Sequence, residues 1–380
     1  MVLVFVVNGA MTGTWLSRIP WIAERLALGE AQLGLLLLCP AAGAIVSMTL
    51  TGQLLARMSS RRLVIVGCLA YPCLAPLPVL APSPEVLAVV LLAWGMLNGI
   101  MDVAMNAHGV AVERAMGRPI LSSLHGGWSL GTFAGACVVA LSVATGADAV
   151  LTAVATSVAL LGIGALALPR IGPGSEAVAS GGGIVLPSRA VLPVGLIALG
   201  GALVEGGVGE WSGLWMERGL GADPAFAALT FGVFSFGLMV ARFTGDRMNA
   251  RLGPIRLVRA GMAVVAIAYG IVLLAASPAL VLPGVLVVGV GVSNAIPLSF
   301  AAAGRIPPGG PSLAAVFTLC YAGFLGGPPV VGLIADTIGL ATTLWLIVAV
   351  AIVVALAIGR APGFAPMADA AAVPEGAPAS

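Results

Sequence analysis

Apolar runs of roughly 20 residues alternate with short polar gaps about twelve times along this 380-residue chain. A helix of that length, rising ~1.5 Å per residue, crosses a hydrocarbon layer ~30 Å thick. The runs fall near 1–20, 32–54, 63–80, 86–108, 120–143, 148–169, 191–213, 225–245, 256–276, 278–300, 312–334 and 338–359. None alternates with the two-residue period of a half-buried strand. The pattern predicts an all-α polytopic membrane protein with twelve transmembrane helices.

Composition agrees, because 60% of residues are hydrophobic and only 8% charged, against about 25% charged in a soluble domain. All 17 basic residues are arginine, and their placement gives an orientation. Fourteen of them (Arg57, Arg61, Arg62, Arg114, Arg118, Arg170, Arg189, Arg242, Arg247, Arg251, Arg256, Arg259, Arg305 and Arg360) sit in alternate gaps and the C-terminal flank. The other gaps hold only Arg18, Arg25 and Arg218. Cytoplasmic loops collect basic residues, so both termini are expected in the cytoplasm. The net charge of +2 reflects this topology and does not point to nucleic acid. The cysteines Cys39, Cys68, Cys73, Cys137 and Cys320 lie inside apolar runs without CxxC spacing or a neighbouring histidine, so no metal or disulfide site is expected. The first run lacks a basic n-region and a small-residue cleavage site, so it reads as a retained helix. It begins at Met1 without a polar flank, which points to a start upstream.

The Gly-, Ser- and Pro-rich interval 170–190 reads as a cytoplasmic linker. It separates a six-helix bundle at 1–169 from a second at 191–360, and the Ala/Pro-rich tail 361–380 reads as disordered. The two halves echo each other. Gly52, Arg57, Arg61 and Arg62 lie at or just after the end of the second run, while Arg242, Gly245, Asp246, Arg247 and Arg251 lie at or just after the end of the eighth. Aligning Arg57 with Arg247 gives an offset of 247 − 57 = 190, which also superposes run one on run seven and run four on run ten. Duplicated six-helix halves are a known transporter design.

These features resemble the major facilitator superfamily, whose G-x-x-x-D-R-x-G-R/K-R/K loop signature follows helices two and eight. Its aspartate is Ala56 in the first half and survives as Asp246 in the second, which removes one half of the cytoplasmic latch the family uses. The stretch Asn98-Gly-Ile-Met-Asp102-Val-Ala-Met-Asn106-Ala-His108, with Gly117-Arg118-Pro119 and His125-Gly-Gly-Trp128-Ser-Leu-Gly131, is similar to a bacterial subgroup near the fucose permeases and uncharacterised sugar or drug carriers. In that family, helices one, four, seven and ten line the central cavity.

Polar residues gather in those four runs. Asn98, Asp102 and Asn106 recur every four residues, so they share one helical face; the stripe is either a proton or substrate site or a hydrogen-bonded seam, with Asp102 paired to His108 or a loop arginine. Glu205 lies between two glycine pairs in run seven, and such interruptions often mark transporter binding sites. Asn8 in run one and Asn294 in run ten complete the expected pathway. Arg18 and Glu210, near the ends of runs one and seven, are candidates for an outer gate, unless Arg18 merely snorkels to headgroups. Gly127, Gly131, Gly135, Gly323 and Gly327 follow small-xxx-small spacing and predict close helix packing, and Gly327-Pro328-Pro329 should break or bend run eleven.

Together these readings predict a monomeric secondary transporter for a small polar or amphiphilic, sugar-like solute, coupled to protons and working by alternating access. A drug/H⁺ antiporter of the same architecture is the alternative. Two isolated histidines do not make an enzyme centre, and no cofactor is expected.

Overall fold

The structure, a computed structural model, describes residues 1–55, 57–116, 120–172, 188–306, 310–361 and 363–364. The proposed linker and tail lie largely outside them. Every regular element among the described residues is helical: α1 (Val2–Arg25), α2 (Glu30–Leu55), α3 (Ser60–Ala70), α4 (Leu77–Leu80), α5 (Pro84–Met116), α6 (Leu121–Ala144), α7 (Ala149–Ala167), α8 (Leu192–Leu214), α9 (Pro224–Leu252), α10 (Pro254–Ala275), α11 (Pro278–Val292), α12 (Ala295–Gly304), α13 (Gly310–Ile338), α14 (Leu340–Thr343) and α15 (Trp345–Ala357). They make twelve membrane-spanning stretches, and α1–α7 and α8–α15 form the two halves.

Three of the twelve crossings are built from two α-helices each, and prolines account for two of them; the twelfth is divided at Leu344, between α14 and α15, with no proline there. Pro72, Pro76 and Pro78 each remove a backbone donor, and the third crossing changes there from α3 through a 3₁₀ turn to α4. Pro297 cannot donate to the carbonyl of Ser293, and the tenth crossing is interrupted at Ser293–Asn294, between α11 and α12. The seventh continues past α8 as a π-helical turn, Trp215–Gly219. Of the break or bend expected at Pro328 and Pro329, the break is absent, because α13 runs through both prolines. One expectation changes: α1 runs through Pro20 to Arg25, so Arg18 lies about two turns inside its helix rather than at its end.

Large apolar side chains such as Leu141, Leu151, Val158, Ile267, Leu274 and Leu356 remain exposed around the bundle. On a soluble protein such a belt would drive association; here it faces lipid. Inside, small residues set the helix spacing, as the motif spacing predicts. At the α1–α6 crossing, a β-carbon on Gly131 would collide with the carbonyl of Val6, and one on Gly9 with that of Trp128. The halves meet along α6 and α9, where the rings of Phe133 and Phe236 lie 5.3 Å apart, and along α2 and α13. At the latter crossing, a β-carbon on Gly34 would come within 2.7 Å of the Pro328 carbonyl and one within 2.9 Å of Gly34 Cα if placed on Gly332.

That crossing lies at the arginine-poor end, so crowding it should favour a conformation open there. Overpacking costs about 1–3 kcal/mol, a shift in the two-state ratio of roughly 5- to 150-fold. Gly332→Leu should therefore raise maleimide labelling of a cysteine introduced by Glu210→Cys, in an otherwise cysteine-free background. Unchanged labelling would show that the crossing does not control access.

Candidate functional site

Polar side chains from both halves meet in the middle of the bundle. In the first half they form a hydrogen-bonded chain: Trp128 Nε1 on α6 donates to Asn8 Oδ1 on α1 at 2.8 Å, and Asn8 Nδ2 donates to Asn98 Oδ1 on α5 at 3.0 Å. Asn8 is 2% exposed, so this chain fixes the Asn98 amide while leaving that residue half-buried.

One turn further along α5, Asn106 Nδ2 donates to Asp102 Oδ1 at 3.1 Å and to the Asp102 carbonyl at 2.9 Å. Among the described residues no cation pairs with Asp102. His108, one of the partners the sequence offers, is fully buried with Nδ1 3.1 Å from Ser60 Oγ. The stripe Asn98–Asp102–Asn106 thus presents a carboxylate supported by one amide and unneutralised by any neighbour.

The second half holds an ion pair that the sequence did not single out. Arg242 Nη2 on α9 donates to Glu205 on α8, 3.2 Å from Oε1 and 3.4 Å from Oε2. The two side chains are only 22% and 15% exposed, and Arg242 Nε is buried without a partner. Counting Arg242 among the loop arginines hid this role, although it falls inside the eighth apolar run. The Gly206 and Gly207 neighbours leave room beside Glu205, and packing there comes from Phe324 of α13 and Ile347 of α15.

α13 lies between these groups. Its Cys320 is within electrostatic range of Glu205, and its Tyr321 within range of Asp102. His125 on α6, exposed and edge-on to Phe5 at 5.4 Å, lies within electrostatic range of Arg242 across the halves. Asp102 on α5 and the Glu205–Arg242 pair on α8 and α9 thus each lie within electrostatic range of neighbouring α13 residues, and His125 of α6 lies within range of Arg242. Asn294 lies apart from this group. It sits at the α11–α12 interruption, donates to Ser293 Oγ at 2.9 Å and fills the space beside Gly245 of α9.

Among the loop signature residues, Arg61 Nε donates to the Ile171 carbonyl at 3.2 Å, which ties α3 to the end of the sixth crossing. Arg57 and Arg247 are exposed, and Gly52 belongs to the last turn of α2. Ala56 and the side chain of Asp246 lie outside the described residues.

At the arginine-poor end, Arg18 and Glu210 form no ion pair with each other in this conformation. Arg18 is 5% exposed and turns into its own half, where Nη2 donates to Ser142 Oγ at 3.1 Å, and its guanidinium lies 5.7 Å from the Trp21 ring. Such burial is not snorkelling. Glu210 keeps one buried oxygen without a partner, and the neighbouring Trp211 is fully buried, its Nε1 likewise unpartnered, so Trp211 is no interfacial anchor. The halves are joined here by Arg218, which donates to the Leu28 carbonyl at 2.9 Å and lies 3.7 Å from Glu30. Leu28 and Arg218 are 190 positions apart, so this contact joins positions equivalent under the sequence repeat.

Comparison with known proteins supports the same architecture. Residues 1–310 match the family model described as Major Facilitator Superfamily. An uncharacterized MFS-type transporter of Yersinia pestis is 33% identical over 337 residues, covering 88% of each chain. An uncharacterized transporter of Sinorhizobium fredii is 33% identical over 341 residues, covering 87% of this chain and 89% of that one. Among solved structures, the nucleoside transporter NupG superposes with a TM-score of 0.73 at 13% identity, covering 94% of this chain and 97% of that one. A bacterial homologue of the human lysosomal transporter Spinster, in an inward-facing and occupied conformation, superposes with a TM-score of 0.72 at 14% identity and 95% coverage of each. A multi-pass chain of twelve crossings in two repeated halves, with polar groups converging where those halves meet, belongs to the major facilitator superfamily of transporters.

Proposed function

We propose that this transporter moves a small polar or amphiphilic, sugar-like solute through the bacterial inner membrane by alternating access, coupled to protons and as a monomer. The observation that carries the reading is Asp102, a carboxylate within a membrane-spanning helix that pairs with no cation among the described residues. Charge in that position is costly and is retained where it faces a pathway. Asn98 and Asn106 add amides suited to hydroxyl groups, and the Glu205–Arg242 pair offers both a donor fork and an acceptor on the facing half. Proton exchange at Asp102 would change the charge of the first half, and a ligand or proton shifts a conformational equilibrium only through such a difference between states.

The same unpaired carboxylate would also receive an organic cation, which keeps the drug/H⁺ antiporter as a second reading. Purified protein in liposomes separates the two. A panel of sugars and cationic drugs is offered with and without a pH gradient, and saturable counterflow of a sugar-like solute is expected. Counterflow confined to cationic drugs establishes the second reading, whereas unsaturable flux without counterflow overturns both.

Closure at the arginine-poor end is assigned to Arg218 with Leu28 and Glu30. This exposed ion pair contributes about 1 kcal/mol at most, enough to bias two states without locking either. The fourteen-to-three division of arginines supports a cytoplasmic location for both termini and the linker. A reporter fused after Arg189 should then behave as cytoplasmic and one after Ser83 as periplasmic; the reverse pair of results would invert the topology.

A further inference from the structure

We infer that a cleft between the halves at the arginine-poor end binds an organic ammonium group. The cleft, about 180 Å³, is lined by Ser17, Pro20, Trp21 and Glu24 of α1, Val143 of α6, Glu217 of the π-helical turn, and Pro224 and Ala228 of α9. Ser17 is 3% exposed and its Oγ has no hydrogen-bond partner, although a helical serine commonly donates to a carbonyl one turn back. Its lone pairs and proton are therefore available to the cleft.

The charge in the cleft is one-sided. Glu217 lies within electrostatic range of Glu24 and Asp223, and of the single cation Arg218. Arg218 is already committed to Leu28 and Glu30. Arg25 donates to the Ala81 carbonyl and packs 5.1 Å from the Trp21 ring, and Arg18 is held by Ser142. Three carboxylates thus outnumber the one arginine that reaches Glu217. The π-helical turn is what aims Glu217 here, and such turns recur at functional sites.

The walls decide which cation fits. No group of three or more His, Cys, Asp or Glu side chains among the described residues is spaced to hold a metal ion. Pro20, Trp21, Val143, Pro224 and Ala228 instead present apolar surface around the two carboxylates, which suits an ammonium carrying small alkyl groups. Glu24 belongs to one half and Glu217 to the other, so an occupant would bridge them and favour the conformation closed at this end. The ammonium could belong to a free amine or to a lipid headgroup.

The test uses the full-length protein in detergent, titrated with choline chloride against sodium chloride at equal ionic strength and followed by thermal stability and tryptophan fluorescence. A saturable rise in thermal midpoint is expected with choline. That rise should be lost in Glu24→Gln/Glu217→Gln and weakened in Ser17→Ala. Nanodiscs of phosphatidylethanolamine, compared with phosphatidylglycerol alone, distinguish the sources: competition between the ethanolamine lipid and choline assigns the site to a headgroup, and undiminished choline binding assigns it to a free amine. Equal stabilisation by choline and sodium, equal choline binding by the double variant, or stronger stabilisation by calcium than by choline each overturns the assignment.

Discussion

Replacing Asp102 with asparagine should abolish gradient-driven accumulation while leaving solute exchange intact. The substitution keeps the shape of the side chain and its contact with Asn106, which already donates to Asp102 Oδ1 at 3.1 Å. It removes the titrating group. One charge moved across 100 mV is worth about 2.3 kcal/mol, equivalent to roughly 50-fold accumulation per coupled proton at ~1.4 kcal/mol per tenfold. The variant should fall to a ratio of about one, the value for a carrier that equilibrates its solute without an energy source. Counterflow needs no net proton movement and should persist. Accumulation at the wild-type level in Asp102→Asn would exclude this residue from coupling, and loss of counterflow as well would place it in solute binding instead. Asn98→Ala provides the contrast: it removes an amide held by Asn8 at 3.0 Å and proposed to meet the solute, and should weaken solute affinity while the accumulation ratio at saturation stays near the wild-type value.

The fold was more legible in the sequence than the site, and for a physical reason. A bilayer demands long apolar runs and sorts arginine by side, so helix number, repeat and halves are written in one-dimensional composition. The small-xxx-small spacing around Gly131 likewise survived, because close packing of two helices needs no knowledge of the remainder of the bundle. Side-chain partnerships depend instead on which helix faces which. Asp102 and Glu205 stood out as carboxylates inside apolar runs, but the partner of Glu205 did not. Arg242 sits ten residues before the end of α9, and in sequence it merges with the basic loop. Its side chain points back into the bundle, to Glu205, rather than out to the headgroups. The depth of Arg18 was hidden similarly: the first apolar run ends near residue 20, yet α1 continues through Pro20 to Arg25. That continuation carries Arg18 into the interior of its half and leaves Arg218 to meet the first half.

Breaking the Glu205–Arg242 pair should destabilise the protein sharply, whereas removing both charges should cost much less. Removing one member of a fully buried pair costs about 3–5 kcal/mol, because the survivor is left charged and uncompensated. The side chains here are 15% and 22% exposed, so water recovers part of that cost, and the expected effect lies below that range. Glu205→Gln leaves the guanidinium of Arg242 with Nε already unpartnered and no carboxylate for Nη2. Arg242→Gln leaves the Glu205 carboxylate, 15% exposed, without its cation. The two losses are not independent, so the double variant Glu205→Gln/Arg242→Gln should recover more than half of the summed loss, a coupling of the size expected for residues in contact. Thermal midpoints of the three variants, measured in one detergent at one pH, give the cycle directly. If the pair also contacts solute, the double variant will fold but show weakened binding, which separates its structural role from its part in transport. Additive losses would mean that the two groups do not compensate each other in the folded carrier, and the convergence of the two halves on a shared site would then lack its second-half anchor.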